Sequence, residues 1–290
     1  MGNPDAAQLL QDRLAGLVAA IRDAAERVRQ DDPDGVHDLR VAMRRTRSLL
    51  TTFTRELGEE TCGSLRQDLR WAGGELSPLR DLEVVEERLH RLLGEQRVEL
   101  VLGNVAARVD DHVRGLRTQA APAVDRLLEA PGWEVLLSDL DRLGADEPDA
   151  DEASLRKRLR KDWRRLRRRA ARAAETVDER GRENALHDVR KAAKRARYAA
   201  ETVHPLFGTD AARLEQTAEA VQEALGDHRD TVLTRHTLRD LGVQAFLDGD
   251  NGFTYGRLHA LEEIAAAAAL ADYERVHGRL GKGKLVDWLG

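Results

Sequence analysis

Residues 37–47 read HDLRVAMRRTR, and residues 187–197 read HDVRKAAKRAR. Both begin His-Asp-x-Arg and keep the same spacing of later cations, 150 positions apart. On a helical wheel of about 100° per residue, His37, Arg40, Arg44 and Arg47 share an arc of about 80°. Leu39, Ala42, Met43, Leu50 and Phe53 lie on the other side. The second copy does the same, with His187, Arg190, Lys194 and Arg197 opposite Val189, Ala192, Ala193, Ala196, Val203 and Phe207. Each stretch is therefore a helix with one cationic face and one core face.

The rest of the chain agrees with a helical reading. Ala, Leu, Arg and Glu dominate its 290 residues, aromatics are 4% and charged residues 34%. Val, Ile and Thr are too thinly spread to build strands, so the fold class is all-α. Apolar residues recur at helical spacing between Pro, Gly and Asp punctuation. This pattern predicts helices near 5–30, 36–57, 61–76, 79–94, 104–129, 133–143, 153–177, 182–204, 210–225, 228–240 and 254–278.

A second internal match follows the first: LSPLRDL at 76–82 aligns with LGDHRDT at 225–231, at an offset of 149. Two matches in the same order mark a duplicated unit. The expected organisation is one compact unit of two pseudo-symmetric antiparallel four-helix bundles, spanning 5–143 and 153–280. The acidic stretch GADEPDAD, within 144–152, would link them.

Net charge is −5, but the charge is segregated. Between Arg156 and Arg172 stand eleven cations and one acid, Asp162, a surplus of ten that leaves the remainder at −15. Such segregation focuses a positive field on an acidic body. On this segment Arg164, Arg165, Arg168 and Arg172 are the candidates to face an anion.

The single Cys62 permits no internal disulfide and suits a reducing, cytoplasmic setting, where it serves as core filler. No apolar run approaches the roughly 18 residues that span a bilayer, and MGNPDAAQLLQDR lacks the order of a secretory signal. Metal-type spacing such as HExxH is absent, as are a Walker loop, a nucleophile elbow and a Rossmann fingerprint. No metal or cofactor is expected.

A stripe of His and three cations over three turns presents donors about 5 Å apart with no acid interleaved. Arg offers a planar fork matched to phosphate oxygens, Lys a point charge, and His can gain charge beside phosphate. Arg45, Lys191 and Tyr198 flank the stripes and complete the candidate binding set. Asp38 and Asp188 are expected to favour the helix N-termini, behind the cap-like Gly35 and Asn184, or to pair with Arg45 and Arg195. The alternative is a solvated basic face neutralised by acids from neighbouring helices. Arg80-Asp81 and Arg229-Asp230 open helices and read as structural junctions, with arginines still in reach of the site.

The stretches VHDLRVAMRRTRSLLTTF (36–53), LRWAGGELSPLRDLEVV (69–85), LHDVRKAAKRARYAAETVHPLFG (186–208) and VQEALGDHRDTV (221–232) resemble the CHAD domain family. The resemblance runs from about Asp12 to Gly278, with Pro78 standing where Gly-like flexibility is usual. It implies two pseudo-symmetric four-helix bundles around a basic central groove or pore that binds inorganic polyphosphate. The ligating residues it implies are His37, Arg40, Arg44, Arg47, His187, Arg190, Lys194 and Arg197, helped by the 156–172 helix. It also implies an accessory role near polyphosphate-metabolising enzymes or polyphosphate granules, sometimes beside a triphosphate tunnel domain, which these 290 residues lack.

Three functional classes remain in view. A binding module needs only the donor array. An enzyme would use His37 or His187 as base or phosphoryl acceptor, and would need a carboxylate or divalent ion that the stripes do not supply. A nucleic-acid binder is disfavoured by few aromatics for stacking and by an acidic remainder.

Overall fold

The computed structural model describes residues 5–281 and 285–290, and only the backbone of residue 179. The described residues form nine α-helices and no strand: α1 Ala6–Arg29, α2 Gly35–Thr52, α3 Glu59–Glu75, α4 Ser77–Gly94, α5 Val105–Glu129, α6 Pro131–Ala145, α7 Glu152–Glu175, α8 Glu179–Leu247 and α9 Phe253–His277. Short 3-10 turns lie at Val98–Leu100 and Asp287–Leu289. No described helix is long and apolar enough to cross a membrane.

Within α8 the helix expected near 182–204 is separate from the one that follows it, whereas the helices expected near 210–225 and 228–240 run together. The only non-helical residue inside α8 is Gly208, at φ 52° and ψ −130°, three residues after Pro205. A positive φ costs glycine little, so the helical path breaks there and the chain folds back, setting Arg190 of the first arm of α8 against Gly226 of the second. Gly226-Asp227, expected as a break, continues the helix. Asn184 therefore lies inside α8, whose cap is Asp178, accepting from the Gly181 amide at 2.6 Å. Likewise Asp34, rather than Gly35, precedes α2. Gly35 is needed for another reason: a Cβ there would sit 2.8 Å from the Val28 backbone nitrogen, so α1 and α2 close up only with glycine.

Two apolar clusters hold the helices. The larger takes Leu10, Leu14 and Ile21 from α1, Leu39 and Leu50 from α2, Trp133 from α6, Leu159 and Leu166 from α7, and Val189 and Val203 from α8. The smaller joins Leu82, Val85 and Leu89 of α4 to Val109 of α5, Leu238 of α8 and Leu258 of α9. Each cluster thus draws on residues from both sides of the 146–151 connection. Burying one such side chain contributes about 1.5–3 kcal/mol, so the clusters fix the helices rigidly. Cys62 is fully buried within the larger one. Of the final stretch GKGKLVDWLG, Lys282–Lys284 lie outside the described residues. Leu289 is buried, and Trp288 meets Phe207 with ring centroids 5.3 Å apart.

Asp162, the one acid of the basic segment, turns into this core. Its carboxylate accepts from Thr52 Oγ1 at 2.7 Å and from Arg195 Nε at 2.8 Å, tying α7 to α2 and α8. Asp162→Ala strands the Arg195 charge and is expected to cost about 3–5 kcal/mol, read as a lower urea midpoint at unchanged slope. Adding Arg195→Met should recover part of the loss.

Candidate anion-binding site

The two cationic stripes stand on α2 and on the first part of α8, which pack against each other. All eight stripe residues are half-buried. Their surroundings repeat with the sequence offset. Arg40 donates to Ser77 Oγ at 2.6 Å, and Arg190, its counterpart, lies over Gly226, the counterpart of Ser77. Arg80 is a charged neighbour of His37 as Arg229 is of His187. Asp81 faces Arg40 as Asp230 faces Arg190. Arg80-Asp81 stands near the start of α4, where Arg80 pairs with Glu83 at 3.0 Å, whereas Arg229-Asp230 lies mid-course in α8 and opens no helix; Arg229 approaches Asp81 at 3.8 Å across the two copies.

The copies meet at Lys194. Burial, and after it the charges of Arg190, Arg44, Arg229 and Arg40, hold its ammonium down at about 6 from an ordinary 10.5. Two of those arginines come from each copy, and no carboxylate is among the leading causes. Burial is also the first cause, ahead of neighbouring cations, that lowers the pKa of His37 and His187. Arg40, Arg47 and Arg190 are shifted down for the same first reason. The Arg190 Nε is buried without a hydrogen-bond partner. The site holds more donors than acceptors, and Ser77, the Tyr198 oxygen and Glu219 are already taken by Arg40, Arg44 and Arg197.

Tyr198 organises one side of it. The ring is buried, and the Arg45, Arg197 and Arg44 guanidinium carbons lie 5.7, 5.9 and 6.0 Å from its centroid. Arg44 Nε donates to the tyrosine oxygen at 3.0 Å, which leaves the phenol proton free to donate onward.

The copies differ at one end. Arg47 has Arg70 as its charged neighbour, whereas Arg197 is paired with Glu219 at 2.5 Å. Arg70 and Glu219 are counterparts at the offset of 149. Gly73 and Gly74 likewise answer to Gln222 and Glu223. The first copy accordingly opens into a hollow of about 280 Å³ lined by Arg40, Arg44, Arg47, Arg70, Gly73, Gly74 and Ser77. Sequence reasoning missed Arg70; reading the offset backward from LSPLRDL reveals the Arg-to-Glu exchange.

Other expected members are paired or exposed. Arg45 approaches Glu201 at 3.6 Å, and Lys191 is exposed beside His187. The expected Asp38–Arg45 and Asp188–Arg195 pairs do not form. Asp38 instead takes Arg27 of α1, Asp188 takes Arg169 of α7 at 3.1 Å, and Arg195 takes Asp162. Seven residues of helix rise about 10 Å, beyond the reach of a short Asp side chain, so the preceding helix supplies the partner. Arg164, Arg165, Arg168 and Arg172 are exposed on α7, and no α7 cation figures among the charges that perturb the stripes. No cluster of three or more metal-type side chains occurs among the described residues.

These features define an all-helical protein with a half-buried, duplicated array of guanidinium, ammonium and imidazole groups. Residues 12–239 match the model of the CHAD domain, and the chain belongs to that family. Two proteins of Mycobacterium tuberculosis strains, the uncharacterized proteins MT2285 and Rv2226, are each 35% identical over 266 residues. That match covers 88% of this chain and 50% of theirs, so the chain spans about half the length of these relatives. Among solved structures, PptA from Streptomyces chartreusis superposes with a TM-score of 0.72 at 20% identity, over 94% of this chain and 99% of that one. The CHAD domain from the plant Ricinus communis gives 0.70 at 24% identity, over 95% and 93%. Both likenesses show the fold.

The depressed Lys194 makes stability depend on pH with a definite sign. Between about 6 and 10.5 the unfolded chain carries more of this proton than the folded one. Stability should therefore rise with pH across that window, by at most about 1.4 kcal/mol per unit from this residue. Denaturant midpoints from pH 6 to 9 check it, and Lys194→Met should remove that part of the slope.

Proposed function

We propose that the chain binds inorganic polyphosphate between the two stripes, as a module without chemistry of its own. The ligating residues in this reading are His37, Arg40, Arg44, Arg47, His187, Arg190, Lys194 and Arg197, with Tyr198 positioning Arg44. Family membership fits a polyphosphate-associated role. The observation that carries the reading is the convergence of arginines from both copies on Lys194, which forms no ion pair among the described residues. A polyanion threaded there would supply the missing acceptors, and its charge would return a proton to Lys194 and favour charged His37 and His187. Donors repeating at each helical turn suit a ligand whose phosphates also repeat. Affinity should then grow with chain length and fall steeply with salt.

The cellular role in this reading is targeting, or assistance to polyphosphate-metabolising enzymes or granule proteins in the cytoplasm. A catalytic partner would act from another chain, or from another part of a longer one.

Titration with polyphosphates of several lengths, beside DNA, RNA and orthophosphate, tests the reading. Polyphosphate should bind more tightly than DNA at matched phosphate concentration, with net proton uptake near pH 7. Arg44→Glu with Lys194→Glu should weaken it by about 100-fold or more, as expected for reversed charges in a desolvated site. Equal affinity for DNA, or full affinity in the folded double variant, would sink the proposal. Orthophosphate release that His37→Ala abolishes would make the protein an enzyme instead.

A further inference from the structure

The cations of α7 form a second array that the stripes do not use. Lys157, Lys161, Arg164 and Arg168 fall within about 60° of arc over three turns, a ladder about 17 Å long. With Arg55 and Arg167 they line a hollow of about 930 Å³, whose only uncharged lining residue is Ala171. That hollow shares no residue with the one beside Arg40, Arg44 and Arg47.

The ladder is held rigid from behind and lacks neutralising partners in front. Leu155, Leu159, Trp163, Leu166 and Ala170 are buried on the opposite face of α7, and Asp151 and Ser154 close a capping box at its start. Two further lining residues are already engaged: Arg158 with both Glu56 oxygens at 2.7 and 3.0 Å, and Arg160 with the Gly290 carbonyl. No acid among the described residues pairs with Arg55, Lys157, Lys161, Arg164, Arg167 or Arg168. Asp162, which could have done so, is spent on Arg195 in the core. Like charges at adjacent turns destabilise a helix, and this one carries four in line without relief.

The face also indicates what kind of polyanion fits. The one aromatic of α7, Trp163, is buried, so the helix offers no aromatic ring for a base to stack on. Arg and Lys over an open hollow recognise phosphate charge and spacing alone.

We propose that the outer face of α7 is a second, independent polyphosphate site, so that one molecule grips phosphate chains at two separate places. This rests on the reading of the stripes as a polyphosphate site. It makes the protein able to join two chains, or two distant parts of one chain.

The test uses the full chain and a short probe, tripolyphosphate, which cannot span both sites. Calorimetry should give two molecules bound per wild-type protein and one in Lys161→Glu/Arg164→Glu/Arg168→Glu. Long-chain polyphosphate should assemble wild-type protein into particles that scatter light, and this assembly should be lost in the triple variant. These side chains are exposed, so helicity and unfolding midpoint should hold; the corresponding triple Gln variant serves should the acidic one misfold. A stoichiometry of one in the wild type, abolished by Arg44→Glu, overturns the second site and leaves the first standing. A stoichiometry or scattering unchanged in the triple variant also overturns it, as does a preference of this face for duplex DNA over polyphosphate. Absence of any polyphosphate binding by the wild type overturns both readings at once.

Discussion

The architecture turns on crowding of like charge around Lys194. Two unit charges one helical turn apart repel by roughly 3 kcal/mol at an effective dielectric near 20. Arg190, one turn away, and Arg44, Arg229 and Arg40 crowd a half-buried lysine with like charge. The ammonium yields by giving up its proton, which a guanidinium cannot do. A site made of arginines alone would have no such release. A single lysine at the centre lets the empty site relax and then recharge when an anion arrives.

Holding such an array together requires stiffness from elsewhere. The core faces of α2 and α8 bury Leu39, Leu50, Val189 and Val203 almost completely, so the stripes cannot splay apart without opening the main core. Carboxylates are present but assigned: Asp38 and Asp188 to arginines of the preceding helices, Glu201 to Arg13 and Arg45, and Asp162 to Arg195. Asp81 and Glu83 temper Arg40, and Asp230 tempers Arg190. Burial raises the pKa of Asp230, against the opposing pull of Arg190 and Arg88. The acids thus support the frame and leave the centre positive.

Periodicity made the helices and the stripes legible, because a 3.6-residue repeat of apolar positions survives any choice of partner. The Arg40–Ser77 and Arg190–Gly226 contacts follow from the repeated motifs read together, at offsets of 150 and 149. Partner choice was not legible: whether Asp38 meets Arg45 or Arg27 depends on where α1 ends against α2, a tertiary fact. Continuity of the second arm of α8 past Gly226 was hidden for a related reason. Gly226-Asp227 looks like a break, yet a buried helix with Arg190 lying over it tolerates glycine in mid-course. The outward position of the α7 cations was equally hidden, since a wheel separates core from surface but does not say which surface faces the stripes.

Duplication alone would produce a site with two equal ends, and the departures from equality give it a direction. Where the first copy sets Arg70 beside Arg47, the second sets Glu219 beside Arg197, so one end gains a cation and the other loses one to an ion pair. Where the first copy has Gly73 and Gly74, and open space around them, the second carries Gln222 and Glu223. Both changes act in the same sense, leaving the first end more positive and less obstructed. An extended anion meeting such a gradient has an electrostatic reason to engage from the Arg70 end and advance toward Lys194. Restoring symmetry at that single pair of positions would leave the fold and the central charges in place while removing the preference for one end, which separates the direction of the site from its strength.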